Sequence, residues 1–374
     1  MFGKGIKLFE LFGFEVKIDW SWIIIAVLIT WSLSTGYFPF AGPGYSTGTY
    51  WAMGIVGALG LFFSVIVHEL THSIVARSRG MPMKGITLFI FGGVAEMGDE
   101  PPDAKTEFMM AIVGPLSSIV LGLVFYGISK AGAGFWPPPV TAVLWYLALI
   151  NWILAAFNLL PAFPLDGGRV LRSILWGAKG SLKWATRVSS SIGMLFGFLL
   201  IGFGLWRMFY GNFFGGMWMI LIGMFLESAA RTSYQQLIAR EALKGEPVRR
   251  FMNSSPVTVA PSVSVDHFVE DYVYRHHYKM FPVVSAGDLV GCVSVNEVKE
   301  IPREEWKYKT VGELSTRCST DNTIPPEADA ARALSVMSRT GKSRLMVVDR
   351  GQLLGIIALK DMLHFISQRM ALEE

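Results

Sequence analysis

The stretch Ala52–Arg77, AMGIVGALGLFFSVIVHELTHSIVAR, decides the fold. It opens with an uncharged apolar run, Ala52–Val67, and closes on Arg77. A run of this kind approaches the ~20 residues that cross a hydrocarbon core. Inside it stands His68-Glu69-Leu70-Thr71-His72. At about 3.6 residues per turn, positions i and i+4 share one helix face. Both imidazoles can therefore reach one Zn2+, with Glu69 beside a water on the metal. An accidental HExxH is expected in roughly one chain of this length in a hundred, but the surroundings sharpen the signal. Residues 1–240 contain no other histidine. The pair lies ~13 Å inside the basic end of the helix, at 1.5 Å per residue. Ionisable groups at that depth are costly and by default functional; the bland alternative is a polar cluster that packs helices.

The rest of the chain agrees with a membrane setting. Of 374 residues, 52% are hydrophobic and 17% charged, and the mean hydropathy is +0.43, too apolar for an ordinary soluble protein. The apolar excess fills Trp20–Leu226, whereas Glu241–Glu374 is mixed and charged like a globular domain. Spanning segments are expected near Trp20–Phe38, Tyr50–Ala76, Phe108–Ser129, Thr141–Leu160, Val188–Trp206 and Phe213–Leu226. Basic residues gather in every second connection: Lys4, Lys7 and Lys17, then Arg77, Arg79, Lys84 and Lys105, then Arg169, Arg172, Lys179, Lys183 and Arg187. Pro39–Tyr50 has none. The positive-inside rule then puts both termini on the cytoplasmic side of a cell membrane. A net charge of +4 without an Arg-rich stripe gives no case for nucleic acid. Cys292 and Cys318 form neither a metal spacing nor a disulfide framework. The N-terminus lacks the small-residue cleavage site of a secretory signal, so the first apolar run is expected to stay as a helix.

Two imidazoles leave a catalytic zinc short of a ligand, since such sites usually have three plus water. The best third candidate is Asp166, in NLLPAFPLDGG (Asn158–Gly168), which closes the fourth helix on the basic side. Pro161 and Pro164 break the helix and free the backbone to turn the carboxylate inward. Taken alone, Leu165-Asp166-Gly167-Gly168 is a turn more often than a ligand. The stretch Met83–Met97, MKGITLFIFGGVAEM, is too short to span as a helix. Strand formers on both sides of Gly92-Gly93 read as a β-hairpin, and an ordinary cytosolic loop is the plain alternative. Hairpin backbone at membrane depth is tolerable only where protein or a water-filled cavity satisfies it.

The polar region repeats itself. Val259-Ala260-Pro261 parallels Ile324-Pro325-Pro326, Phe281–Val284 parallels Leu345–Val348, and Gly287–Gly291 parallels Gly351–Gly355. Each copy reads as a strand, a helix, two strands around a Gly turn and a closing helix, and resembles a CBS domain. The pairing of HExxH in the second helix with NxxPxxPLDGG after the fourth resembles the site-2 protease family of intramembrane metalloproteases. The branch carrying a C-terminal CBS pair is the nearer likeness, across essentially the whole chain. The resemblance implies that His68, His72 and Asp166 hold one Zn2+ and that Glu69 is general base and acid. It implies that Asn158 contacts substrate or the oxyanion, and that Gly92-Gly93 belong to a membrane-associated hairpin. It also implies that Gly114-Pro115 open the third helix, with Ser117 and Ser118 where relatives can carry Asn. Gly92, Gly93, Val94 and Ala95 are expected to pair with an unwound transmembrane protein substrate in the lipid bilayer. CBS pairs imply an adenosine nucleotide (ATP, ADP or AMP), its ribose held by an Asp that follows Ser or Thr by three residues. The second copy has Asp361 but Ala358, and the first has Ser294 but Glu297. Asp361 and Ser294 are the candidate nucleotide residues, and a homodimer through the CBS domains is the other role for the pair.

The expected architecture is a polytopic α-helical membrane domain over 1–235, with six transmembrane helices and the hairpin. A linker at 236–245 leads to a cytosolic α/β tandem CBS pair, 246–304 and 305–374. The expected activity is zinc-dependent intramembrane proteolysis, in which Glu69 takes a proton from the activated water and returns it to the leaving amine. From a different class stands a CBS-gated transporter or channel with the histidines lining an ion path. Buried charges in several helices and internal symmetry would favour it, and neither is evident. An inactive membrane scaffold is opposed by the intact His, Glu, His and Asp set.

Overall fold

The computed structural model describes residues 6–11, 13–81, 83–90, 92–97 and 100–373, with side chains at all of these but 84, 94–97, 370 and 373. The chain forms two compact units, one up to Gln235 and one from Gln236 on.

The first unit begins with two short strands, β1 (Ile6–Leu11) and β2 (Phe14–Ile18). Asp19 then caps α1 (Trp20–Ser32) by accepting from the Ser21 N–H, which satisfies one of the free amides of a helix start. A wider, π-type turn at Leu33–Tyr37 leads into α2 (Phe38–Ala41). Ser46 caps α3 (Thr47–Ser78). The hairpin β3 (Met83–Phe89) and β4 (Gly92–Met97) follows. Then come α4 (Ala104–Ala131), α5 (Pro138–Asn158), α6 (Asp166–Lys179), α7 (Leu182–Phe209) and α8 (Phe213–Leu243).

Among the described residues six helices are long and apolar enough to cross a membrane: Trp20–Ala41, Thr47–Ser78, Ala104–Ala131, Pro138–Asn158, Leu182–Phe209 and Phe213–Leu243. Helices suit lipid because each satisfies its own backbone polar groups. Ile24, Val27, Leu59, Leu123 and Leu199 stand more than half exposed on their outer faces, where lipid tails would meet them. Inside, small residues let backbones touch. A Cβ on Gly197 would come 2.7 Å from the Gly223 carbonyl oxygen, and one on Gly204 equally close to that of Gly216.

Three expectations are corrected here. Gly114-Pro115 lie inside α4, which opens earlier, at Ala104, under an Asp103 cap. The last helix continues past Leu226 to Leu243. Gly92 and Gly93 are the first residues of β4, not the turn, which includes Ile90.

The first sheet has the order β1-β2-β3-β4. β2 runs parallel to β3, with Val16 opposite Ile86 and Ile18 opposite Leu88. β3 and β4 are antiparallel, with Leu88 opposite Gly93 and Thr87 opposite Val94. The alternation of buried Phe14, Val16 and Ile18 gives β2 an apolar face. Phe14, Ile18, Ile86 and Leu88 pack with Leu70 of α3, between the two histidines in sequence. The sheet is thereby seated against the helix that carries HExxH, and β4 forms its edge.

The second unit has two sheets, β5-β11-β10-β9 and β6-β7-β8. Its elements are β5 (Met252–Asn253), α9 (Val265–His267), α10 (Tyr274–His276), β6 (Met280–Ser285), β7 (Asp288–Ser294) and α11 (Val295–Lys299). The second copy has α12 (Val311–Leu314), β8 (Thr316–Arg317), β9 (Thr323–Ile324), α13 (Ala330–Thr340), β10 (Arg344–Asp349), β11 (Gln352–Ala358) and α14 (Leu359–Glu373). The two β-hairpins turn at matching places. Ala286-Gly287 and Arg350-Gly351 all have positive φ, as two-residue turns that follow the strand twist require. Each copy lends the other a strand: Asn253 of β5 pairs with Ile356 of β11, and Arg317 of β8 pairs with Gly291 of β7.

Candidate metal centre

His68 and His72 lie one helical turn apart on α3, both buried. Their Nε2 atoms are 3.2 Å apart. Asp166, the first residue of α6, brings Oδ2 to 3.0 Å from His68 Nε2 and 3.2 Å from His72 Nε2. One donor atom from each residue thus falls within 4.8 Å of the others. The outer nitrogens are anchored as well. His68 Nδ1 is 2.9 Å from Ser118 Oγ, and His72 Nδ1 is 2.5 Å from the Met110 carbonyl oxygen. A carbonyl only accepts, so the His72 proton sits on Nδ1 and a neutral ring turns the Nε2 lone pair inward. Ring nitrogens fixed in this way are usual for metal-ligating histidines.

The donor set fits a zinc ion: two imidazoles and a carboxylate, with a fourth position open. A second observation agrees. A Cβ built on Gly114 would lie 2.2 Å from His72 Nε2 and 2.7 Å from His68 Nε2, so α4 presents bare backbone where an ion and its water need room. An anionic oxygen is what a cation at this point requires.

The path of the chain before Asp166 is tightly constrained. A Cβ on Gly167 would come 2.2 Å from the Leu159 carbonyl oxygen, and one on Gly168 would come 2.2 Å from the Phe163 nitrogen. Both glycines let the segment after α5 fold back closely enough to deliver the carboxylate. Glu69, between the histidines, lies under β4: a Cβ on Gly93 would be 2.6 Å from its Cγ and 3.3 Å from its Oε1. The four residues His68, Glu69, His72 and Asp166, with Gly93 of the hairpin, are thus together. Asn158 ends α5 and donates its amide to the Leu154 carbonyl oxygen at 3.0 Å. No hydrogen bond among the described residues joins it to the three donors. Gly92 starts β4 beside Gly93; Val94 and Ala95 follow with their backbone alone described, and Phe91 lies outside the described residues.

Ser118, Met110, Arg172 and Glu107 belong to the surroundings of this centre and were not singled out as such from sequence. Arg172 is buried on α6 and pairs with buried Glu107 of α4. No sequence signal marks Arg172: on α6 it falls with Arg169 and Lys179 on the polar side, opposite Val170, Leu171 and Ile174, and reads as a solvated charge.

In the second unit the candidate nucleotide residues separate. Asp361 lines a cleft of about 310 Å³ with Tyr278, Arg344, Ala358 and Lys360. Ser294 lines another of about 550 Å³ with Cys292, Glu297 and Lys342. The Glu297 carboxylate is already engaged, accepting from the Ser294 N–H at 2.9 Å and from Thr316 Oγ1 at 3.3 Å.

Comparison with known proteins bears on both units. The model of peptidase family M50 matches residues 56–136 and 135–200, and that of the CBS domain matches 248–304 and 311–368. Rip3 of Mycobacterium tuberculosis is 32% identical over 97% of this chain and 93% of its own length. Zinc metalloprotease MJ0392 of Methanocaldococcus jannaschii is 30% identical over 97% of this chain and 96% of its own. Among solved structures, the site-2 protease from Methanocaldococcus jannaschii is 30% identical, covers 61% of this chain and 94% of that one, and superposes with a TM-score of 0.43.

Proposed function

This chain belongs to peptidase family M50, the site-2 proteases, with a tandem CBS pair, and on that premise we propose how its residues cleave a transmembrane segment. It is a multi-pass membrane zinc metalloprotease, and intramembrane proteolysis is its general activity. His68, His72 and Asp166 are proposed to hold the metal. Zinc bound there would supply an acidified water and polarise the scissile carbonyl. Glu69 is proposed as the general base and acid, the group that holds the released proton and passes it to the leaving amine. The anchored Nδ1 atoms keep the two rings aimed at one point, so little reorientation accompanies each turnover. A helical substrate hides its carbonyls in hydrogen bonds, and its scissile segment must unwind first. The free edge of β4 offers main-chain groups to such a segment. Because Gly93 lies on Glu69, a strand added along β4 would run past the same carboxylate. Gly92, Gly93, Val94 and Ala95 are therefore proposed as the substrate clamp. Asn158 is proposed as a substrate contact once its amide leaves Leu154.

The observation that carries this reading is the meeting of three donor atoms within 4.8 Å, two on buried histidines and one on the half-buried Asp166, beside Glu69. Purified protein incubated with a panel of single-span proteins should cleave at least one. Glu69→Gln should retain zinc and lose cleavage, because the amide cannot accept the proton; cleavage near the wild-type rate would remove Glu69 from the mechanism. The arrangement of Lys and Arg supports a cytoplasmic position for both termini, which accessibility of engineered terminal cysteines would test.

For the second unit we propose an adenosine nucleotide in the cleft that Asp361 lines, with Asp361 holding the ribose. Engagement of Glu297 by Ser294 and Thr316 occupies the carboxylate of the other cleft, which argues for a single nucleotide per pair. A nucleotide acts on proteolysis only through different affinities for active and inactive arrangements.

A further inference from the structure

Arg172 stands on α6 less than two turns beyond Asp166. Its side chain is buried, and its Nε donates to Glu107 Oε1 at 2.6 Å. One terminal nitrogen pairs with the same oxygen and also reaches Glu100 Oε2 at 3.2 Å. The guanidinium lies over the Phe163 ring, 5.0 Å from its centroid. Glu107 is 1% exposed, and its second oxygen is buried without a hydrogen-bond partner. These contacts gather three parts of the centre. Glu107 is in the first turn of α4, the helix that supplies Met110 and Ser118 to the two histidines. Phe163 lies three residues before Asp166, and its carbonyl is pressed against Gly193 of α7, where a Cβ would approach to 1.9 Å. Glu100 lies on the connection from β4 to α4.

A buried ion pair is a weak source of stability, since well-packed apolar side chains of the same volume commonly do as well or better. What the pair adds is direction. The planar fork of arginine bonds a carboxylate in a fixed geometry that lysine cannot reproduce. Here it sets the rotation of α6 against α4. The Asp166 carboxylate projects from one of those helices, and the groups that hold both imidazoles project from the other.

We propose that Arg172 is a positioning residue for the metal centre, pinning α6 to α4 through Glu107 so that the Asp166 carboxylate meets the two imidazoles. The proposal rests on the reading of His68, His72 and Asp166 as zinc ligands. Its test measures zinc affinity of the full-length protein by competition with a chromogenic chelator, alongside thermal unfolding. The paired substitution Glu107→Met with Arg172→Met removes both charges together and leaves neither orphaned. It is expected to unfold within a few degrees of wild type yet bind zinc about tenfold more weakly, the low end of the effect of losing support around a metal site. Arg172→Lys keeps the charge without the fork, and is expected to fold and to bind zinc several-fold more weakly. Wild-type zinc affinity in either folded variant would overturn the proposal. Asp166→Ala, run in parallel, separates the two levels. If it loses zinc while the Arg172 variants keep it, the ligand reading stands and the positioning role falls. If it keeps zinc, the ligand reading itself fails.

Discussion

At Gly114 the Nε2 atoms of His68 and His72, the proposed ligands, occupy the space a side chain would need. With a Cβ 2.2 Å from His72 Nε2, Gly114→Ala should displace the ring or fill the place of the ion. We expect that variant to lose most of its zinc with helical content unchanged, read by elemental analysis and far-ultraviolet circular dichroism; full occupancy would mean that α4 can withdraw from the site. Asp166→Ala should lose most of its zinc too, since it removes one of three donors. Residues whose side chains act through spacing were legible before the fold was known: His68 and His72 share a helix face by arithmetic, and Asp166 follows from topology and two prolines. Met110 was not legible, because it acts through a carbonyl that every residue possesses. Ser118 was noticed only as a departure from asparagine, and nothing in the sequence tells that its hydroxyl meets His68. Arg172 was counted as one positive charge among several in a connection, and its burial is a property of helix packing alone.

At the scale of the element, β4 is the piece whose geometry carries most consequence. Its partner β3 takes every second N–H, so of Val94 and Ala95 one turns its N–H toward the free edge. Val94→Pro and Ala95→Pro should each keep zinc, and the one at the outward position should lower turnover roughly fivefold, as for a lost hydrogen bond of about 1 kcal/mol. Normal cleavage by both would show that the hairpin is not the clamp. The membrane helices were the easiest elements to foresee, because a long apolar run has few other uses. The strands β1 and β2 are less legible: Phe14, Val16 and Ile18 alternate with Glu15 and Lys17, but so short a run beside several lysines reads equally as a basic tail before the first helix. The helix α6 is hidden for the same reason. Its basic residues read as a connection between spans, and the prolines that end α5 mask the amphipathic pattern behind them.

At the scale of the whole molecule, the exchange of β5 and β8 bears on how the second unit folds. Val248 and Phe251 lie in the core built mainly by the second copy, and Val311 lies in that of the first. A fragment holding only 246–304 should therefore remain unfolded, whereas 246–374 should melt in a single cooperative transition by calorimetry; two separate transitions would contradict this. Titration of the full chain with ATP, ADP and AMP should show at most one site per chain, lost in Asp361→Ala, and two sites would restore a role for the Ser294 cleft. The repeat was visible in the sequence, but the lending of strands was not, since paired segments so short leave no mark in composition. The metal centre has a matching dependence on distant parts, and there it becomes a matter of time. His68 and Asp166 are 98 residues apart, so at about 5–20 residues per second of synthesis the ribosome needs roughly 5–20 s to join them. Through that interval the emerging chain holds two histidines in the bilayer without their carboxylate. With the proposed ligand set, newly made protein thus passes through the crowded site of membrane insertion inert, and becomes able to cut only after four of its six candidate membrane helices have been made.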